Sequence, residues 1–579
     1  MKVLGVVFFA MVRIPAATHQ TFCEARMRLV VCSIVAIFSV AGPLLSQTAG
    51  ARSITAQALD SHIQFLASDL LEGRGTGTRG FDLAAQYVST ELASYGLSPA
   101  GTDGGWFQTV SFRKAVLQPA TSGLTLTRKG TSQPLKYGDE VLIAADYKRT
   151  KTEVSAAVVF VGFGISAPDQ NYDDYLTVDV KGKVVAMLGG APPSFPSTER
   201  AYYSSGATKS DNAAAHGALG IINIATPPEM VRSPWERRVR GAKAGGMHWV
   251  GADGAPGNGR DEIKVSALIT ADAAKKLFAG SSHSAESVFD AALHGAPGSF
   301  PLQCTAALRQ SSVHEDARSE NVAGMIRGSD PKLRDQYLVY SAHLDHLGIS
   351  EPVKGDSINN GAYDNGSGVA VLLELARAFA SLTQPPKRSI IFLAVTGEEK
   401  GLQGSDYFAR FPTVPKSSIV ADINMDMFLM LYPFSDAVPF GGEHSTLGEA
   451  VQRAASVMGL EVSPDPAPEE VRFVRSDQYS FVKQGIPAVK INPGFKTGNP
   501  DIDGEKLTRD WLHNIYHTPQ DNPDQKMDLE SGVKFAKLNF LIGMDVANTI
   551  ERPAWKPGSF LGRKFGSSHK TEKTANTAQ

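Results

Sequence analysis

From residue 321 onward, short apolar runs alternate with longer amphipathic ones, and this alternation constrains the fold more than any other feature of the sequence. "QYLVYSAHLD", "RSIIFLAVT", "SIVADINMDM" and "IPAVKINP" have the length and composition of buried strands. "GVAVLLELARAFASL", "GSDYFARF", "TLGEAVQRAASVMGL" and "SGVKFAKLNFLIGMDVANTI" have helical spacing. Strand–helix alternation predicts an α/β fold, a central sheet covered by helices. In such sheets ligands collect beyond the carboxyl ends of the strands.

Acids and histidines sit at those ends. "SAHLDHLG" offers His343 and Asp345, "GAYDNGSG" offers Asp364, and "TGEEKG" offers Glu398 and Glu399. "NMDM" offers Asp426, and the later loop "IYHTPQDN" offers His517. A single histidine on a strand is ordinarily a packed, hydrogen-bonded side chain. Several acids and histidines, each following a separate apolar run, are harder to reconcile with packing, because buried charge is costly unless paired or bound to metal. Two histidines and three carboxylates suit two zinc ions if one carboxylate is shared. Glu398 and Glu399 point in different directions whether on a strand or a helix start, so they can divide the duties of base and ligand. A solvated helix start, where acids suit the helix dipole, is the plain alternative for this pair.

The ordered set "AHLDHLG", "YDNGSG", "TGEEKGLQGS", "NMDM", "SDQYSF" and "YHTPQDNPD" resembles the dizinc aminopeptidase family, metallopeptidase family 28, which also holds glutamate carboxypeptidases and transferrin receptor. "LASDLLEGRGTGTRGFDLAAQYVSTELASYGLSPAG" resembles it too. The resemblance implies a zinc exopeptidase fold with a central mixed β-sheet, and two Zn2+ as cofactors. It implies that Asp364 bridges the metals, that His343 and Asp426 complete one site, and that Glu399 and His517 complete the other. It implies Glu398 as general base toward a metal-activated water, Asp345 as the partner that orients His343, and Tyr516 as a donor to the developing oxyanion. Asp477 and Arg475 are substrate-pocket candidates. Gln478 stands where the family often has histidine, and Tyr363 where many relatives have aspartate. His513 lies four residues before His517, a metal-binding spacing if both lie on one helix; the following "TPQDNP" favours His517 alone.

The expected activity is that of a zinc-dependent aminopeptidase acting on the N-terminal residues of peptides. A glutamate carboxypeptidase-like carboxypeptidase and a catalytically inactive, receptor-like binding protein are the alternatives. The carboxypeptidase would need cations for a terminal carboxylate, and Arg472 and Arg475 lie near the late motif. No G-x-S-x-G segment supports a serine hydrolase.

The rest of the chain frames this domain. Met27 opens a charged, apolar and small-residue sequence ending in Ala49-Gly50-Ala51, read as a secretory signal over residues 1–51, with Met27 a second possible start. Cleavage would make the protein secreted or periplasmic, and an uncleaved segment would anchor it to a membrane. Cys304 is then the one cysteine left, which leaves no internal disulfide. Residues 52–115 form the N-terminal part of the peptidase domain and 311–551 its main part. Residues 116–310, with runs such as "SGLTLTR", "AAVVFVGFGI" and "GKVVAMLGG", resemble the β-rich protease-associated domain inserted in many family members. Residues 552–579 read as a polar, basic, disordered tail. "GTGTRG", residues 75–80, has dinucleotide-loop spacing, but a helix precedes it instead of a strand, so a shaped loop near a ligand mouth is expected. Hydrophobic residues at 42% and charged residues at 20% are ordinary for a globular protein, and a net charge of -2 gives no sign of a nucleic-acid partner.

Overall fold

The computed structural model describes residues 50–257 and 261–566. The expected signal segment up to residue 49, and the end of the tail from 567, lie outside the described residues. Among the described residues no helix is long and apolar enough to cross a membrane.

The longer strands of the sheet that carries the candidate chemistry are β1 (Phe107–Leu117), β2 (Ser299–Ile326), β3 (Tyr337–His343), β4 (Ser389–Val395), β5 (Ile419–Asn424), β6 (Asp436–Phe440) and β7 (Ala488–Pro493). β3 lies between β4 and β5 and runs parallel to both, and β5 pairs in parallel with β7. β2 joins β4 antiparallel on one side and β6 joins β7 antiparallel on the other, so the sheet is mixed. Every residue of β3, β4 and β5 is buried. That is the pattern of strands covered on both faces, and it explains why they read as continuous apolar runs.

Four helices serve as the frame around this sheet: α1 (Ala56–Leu66), α2 (Arg79–Ser94), α5 (Ser367–Ala380) and α9 (Leu529–Asn548). The other labelled helices are α3 (Pro227–Arg232), α4 (Trp235–Ala244), α6 (Gln403–Arg410), α7 (Leu447–Val457), α8 (Gly504–Asn514) and α10 (Phe560–Phe565). α5 is the most enclosed; Phe379 meets Phe392 of β4 and Phe540 of α9 with ring centroids 6.1 Å and 4.6 Å away.

β2 leaves one sheet and enters another. Up to Ser311 it pairs antiparallel with Lys151–Val161, and from Ser312 it pairs with β1. Beyond that hand-over lies a second sheet in which Lys151–Val161, Val184–Leu188, Gly220–Ile224 and Val265–Ile269 are successive parallel neighbours. This segment holds more helix than its short apolar runs suggest. α3, α4 and the helices Gly206–Ala215, Ala271–Phe278 and Ala285–Leu293 belong to it, so it is mixed α/β instead of simply β-rich. The reason is that parallel strands need crossovers, and short amphipathic helices supply them. Cys304 is a buried free thiol within it.

The tail expectation is corrected for residues 552–566. α10 tucks Phe560 (3% exposed) and Leu561 (0%) into the core beside Tyr202 and Tyr203. Two apolar side chains anchor a segment whose overall composition is polar and basic.

Candidate functional site

The parallel register places three chain segments at one edge of the sheet. His343 is the last residue of β3 and is level with Val395, the last residue of β4. Glu398 and Glu399 follow β4 by a short turn, and Asp426 follows β5 by two residues. Asp364 arrives in the loop that leads into α5, and His517 in the loop after α8.

These groups converge. His343 Nε2 lies 3.3 Å from Asp364 Oδ1 and 3.3 Å from Asp426 Oδ1. His517 Nε2 lies 3.2 Å from Asp364 Oδ2 and 3.2 Å from Glu399 Oε2. Asp364 therefore presents one oxygen to each histidine, and each histidine meets a second carboxylate of its own. Glu398 has a carboxylate oxygen within 4.8 Å of ligand atoms of His343 and Asp426.

Two further side chains belong here that the sequence pattern did not single out. His346 is fully buried, its Nδ1 2.7 Å from Glu399 Oε1 and 3.8 Å from Asp364 Oδ2. The signal was present as the second histidine of "HLDHLG". Lys490 of β7 places Nζ 2.8 Å from Asp426 Oδ2. A lysine within the apolar run "IPAVKINP" was its signal, since a buried lysine needs a carboxylate partner.

The donor set fits zinc. Imidazole nitrogens and carboxylate oxygens are hard-to-borderline ligands of the kind zinc takes. His517 Nε2, His346 Nδ1 and Glu399 Oε1 are buried and make no hydrogen bond of good geometry, as expected of atoms shaped around a cation.

Electrostatics sharpen the assignments. Burial alone would raise the Asp364 carboxyl, but His343, His346 and His517 hold it well below the usual range. Glu399 is likewise held down to about 2 against its burial, by His517 and His346. Burial would lower His517, yet Glu399 and Asp364 lift it to about 9. Glu398 differs from all of these. Burial raises its carboxyl well above the ordinary value, and Glu399, Asp426 and Asp477 push the same way against His343.

A second layer holds the loops in place. His343 Nδ1 lies 3.0 Å from the backbone carbonyl of Asp345, so the expected orientation of His343 comes from the Asp345 main chain. The Asp345 carboxylate braces the neighbouring loop instead. It accepts from the backbone N–H of Glu398 at 3.0 Å, from that of Glu399 at 3.4 Å, and from the Thr76 hydroxyl at 2.8 Å. Thr76 lies in "GTGTRG", and Gly75 bridges to His346. That loop therefore supports the candidate ligands from behind. Arg74, 1% exposed, donates to the carbonyls of Leu344 and Gly361 at 2.9 Å each. Asp521 accepts from the backbone N–H groups of Tyr363 and Asp364 at 2.9 Å and 3.0 Å. Tyr363 fills the core under this loop, donating to the Met430 carbonyl at 3.1 Å.

A cavity of about 660 Å³ opens in front of the cluster, bordered by His343, Asp364, Glu398, Asp426, Tyr516 and His517. Arg475 is in its wall, with Nη2 3.2 Å from the Tyr516 hydroxyl, and the Tyr516 ring stacks on His517 at 3.8 Å. Asp477 does not border it. This residue is 0% exposed, and burial raises its carboxyl to about 7. The expectation of a substrate contact is thereby corrected: Asp477 precedes the short buried helix Gln478–Lys483, and its carboxylate makes no capping hydrogen bond there. Gln478 is buried as well and accepts from Asn424 at 3.0 Å. The pairing of His513 with His517 on one helix does not occur. α8 ends at Asn514, and His517 follows with a left-handed φ of 57°. Such backbone in a non-glycine residue costs energy and is concentrated at functional sites.

Comparison with known proteins sets the cluster in context. Residues 321–541 match the family model of Peptidase family M28. A probable zinc metalloprotease of Pyrenophora teres f. teres (strain 0-1) is 39% identical over 106 residues, 18% of this chain and 22% of that protein. The aminopeptidase NAALADL1 of Mus musculus is 37% identical over 136 residues, 22% of this chain and 16% of that one. The matched segments thus span less than a quarter of these relatives' own lengths. An aminopeptidase from Aneurinibacillus sp. strain AM-1 superposes over 87% of this chain and 97% of its own, with a TM-score of 0.51 and 20% identity, a likeness of fold.

Proposed function

Because this chain belongs, through residues 321–541, to Peptidase family M28, we propose that it is a zinc-dependent exopeptidase, an aminopeptidase that removes N-terminal residues from peptides. The observation that carries the reading is the sharing of Asp364: its two oxygens lie 3.3 Å and 3.2 Å from His343 and His517.

His343, Asp364 and Asp426 would hold one zinc ion, and Asp364, Glu399 and His517 the other, with His346 beside the second set. When bound, the zinc pair would supply Lewis acidity toward the scissile carbonyl and toward water. The protein's own groups do the rest. Glu398 borders the cavity and keeps a raised proton affinity through burial and neighbouring carboxylates. It is therefore suited to take a proton from the attacking water and return it to the leaving amine. Glu399, depressed to about 2, is suited to stay ionised as a ligand. Tyr516 presents its hydroxyl at the cavity wall, where it can donate to oxygen that becomes negative during attack. Lys490 keeps Asp426 charged and oriented.

The segment over residues 116–310, read as a protease-associated domain, shapes the cavity through α3 and α4. Export, to the bacterial envelope or the medium, is proposed from the sequence between Met27 and Ala51. Metal analysis and a peptide panel test the central reading. Up to two zinc ions per chain and chelator-sensitive cleavage, blocked by N-acetylation but indifferent to C-amidation of longer peptides, are expected. Full activity in metal-free protein would overturn it.

A further inference from the structure

One wall of the cavity is built of arginine. Arg232, Arg237, Arg238, Arg472 and Arg475 all border it. The first three come from α3 and α4 of the inserted segment, and the last two from the turn before Ser476. Among the described residues none of these five has a carboxylate at ion-pair distance. Arg509, also on the cavity, is different, engaging Glu469 at 3.1 Å and Glu505 at 2.8 Å.

The hydrogen bonds that they make go to neutral oxygens, and Arg237 also lies over the Tyr516 ring, 5.7 Å from its centroid. Arg237 Nη2 donates to the His513 carbonyl at 2.9 Å, Arg238 Nε to the Ser233 carbonyl at 3.2 Å, and Arg475 to the Tyr516 hydroxyl at 3.2 Å. The acids bordering the same space are mostly committed elsewhere. Glu229 accepts from the backbone N–H and hydroxyl of Thr226, Glu469 holds Arg509, and Asp510 holds Lys506. Asp364, Glu398 and Asp426 belong to the candidate metal cluster, and Glu470 remains, supporting Arg472 after Asp465 and Arg475 after Tyr516 at longer range. Burial lowers Arg238, and Arg232 and Arg475 lower it further against Glu229. Like charges gathered in a partly enclosed space raise the free energy of the unliganded protein, and an anion entering there relieves it. Guanidinium groups match a carboxylate with paired, charge-assisted hydrogen bonds.

We propose that this wall binds a carboxylate of the peptide substrate, either an acidic side chain or a free C-terminal carboxylate. The inference rests on the peptidase reading and adds to it a substrate class, short or acidic peptides. Arg475 connects the wall to the reacting groups, through Tyr516 to His517. The positive α-ammonium end of a peptide would be repelled by the wall and would face the carboxylate side of the cavity.

Matched peptide pairs test this. Leu-Gly against Leu-Gly-amide isolates the terminal carboxylate, and Leu-Glu-amide against Leu-Gln-amide isolates the side chain. For at least one pair, kcat/KM of the charged member should be higher by about tenfold or more, as one or two charge-assisted hydrogen bonds would give. The ratio should shrink as salt is raised. In R232Q/R238Q the ratio should fall toward unity, while R232K/R238K should retain part of it, which separates loss of charge from loss of folding. Equal kcat/KM within both pairs of the wild-type protein would overturn the proposal, as would an undiminished ratio in R232Q/R238Q. Calorimetric binding of the same peptides separates the two readings. If no peptide is cleaved but the charged members still bind more tightly, and less so to R232Q/R238Q, the wall stands and the peptidase reading fails. Equal binding without cleavage overturns both.

Discussion

The Asp345 carboxylate and the backbone of Glu398 are joined by a hydrogen bond of 3.0 Å, which ties the loop after β3 to the loop after β4. The same carboxylate reaches the Glu399 N–H and the Thr76 hydroxyl. One buried side chain thereby fixes how far Glu398 and Glu399 stand from His343. The Asp345→Asn substitution would turn an amide N–H toward a backbone donor. The expected result is a loss of roughly 10–100-fold in zinc affinity or kcat, the scale seen when supporting partners of metal ligands are altered. Zinc titration against a competing chelator measures it, and wild-type affinity and turnover would show that the tie is dispensable.

Glu398 and Glu399 should separate cleanly. Glu398→Gln is expected to keep its zinc and lose at least ~10²-fold in kcat, the lower bound for removing a positioned proton carrier. Glu399→Ala is expected to lose zinc first and activity with it. Metal content beside single-turnover rates distinguishes them, and normal turnover in Glu398→Gln would remove that residue from the proton-transfer role.

His346 supplies a nitrogen 2.7 Å from Glu399 Oε1. His346→Ala should weaken zinc binding at the Glu399 and His517 side, by about tenfold or more on the same scale of supporting contacts, while zinc at the His343 and Asp426 side is retained. Loss of both ions together, or of neither, would contradict this placement.

The metal-free protein should show a pH signature. Glu399 is held down to about 2, so its contribution is present above the unfolded carboxylate value and is lost as pH falls toward 2. His517 is lifted to about 9, so its contribution is full below the unfolded histidine value, near ~6.5, and is lost as pH rises through about 9. Chelated protein should therefore lose thermal stability between about pH 6.5 and 9 relative to zinc-loaded protein, where the ion replaces the proton. Parallel Tm curves for the two forms would be the contrary result.

The folded end of the chain can be tested by stability alone. Phe560→Ala removes a ring that is 3% exposed and should destabilise by roughly 3 kcal/mol, measured by denaturant unfolding. A change within about 0.5 kcal/mol, the range of ordinary surface substitutions, would show that α10 does not pack.

Local patterns made the sheet and most of the cluster legible. β3, β4 and β5 announce themselves as unbroken apolar runs because both faces are covered, and His343, Glu398, Glu399 and Asp426 stand at or just beyond their ends. Asp364 and His517 needed the ordered motifs as well. What escaped depends on contacts between distant segments. Thr76 meets Asp345 across 269 positions, and Lys490 meets Asp426 across 64. Asp477 looked like a pocket residue because its motif lies beside the others in sequence, but its helix packs inside the core and buries it. The arginines of α4, in "WERRVRGAK", belong to none of the motifs, and only the fold brings two of them to the cavity.

The central claim is that Asp364 is shared between two zinc ions. Anomalous diffraction at the zinc edge, from crystals of the zinc-loaded protein, tests it most directly. Two peaks about 3.5–4 Å apart, one beside His343 and Asp426, the other beside Glu399 and His517, with Asp364 between them, are the expected result. A single peak, or peaks that leave Asp364 out, would contradict it.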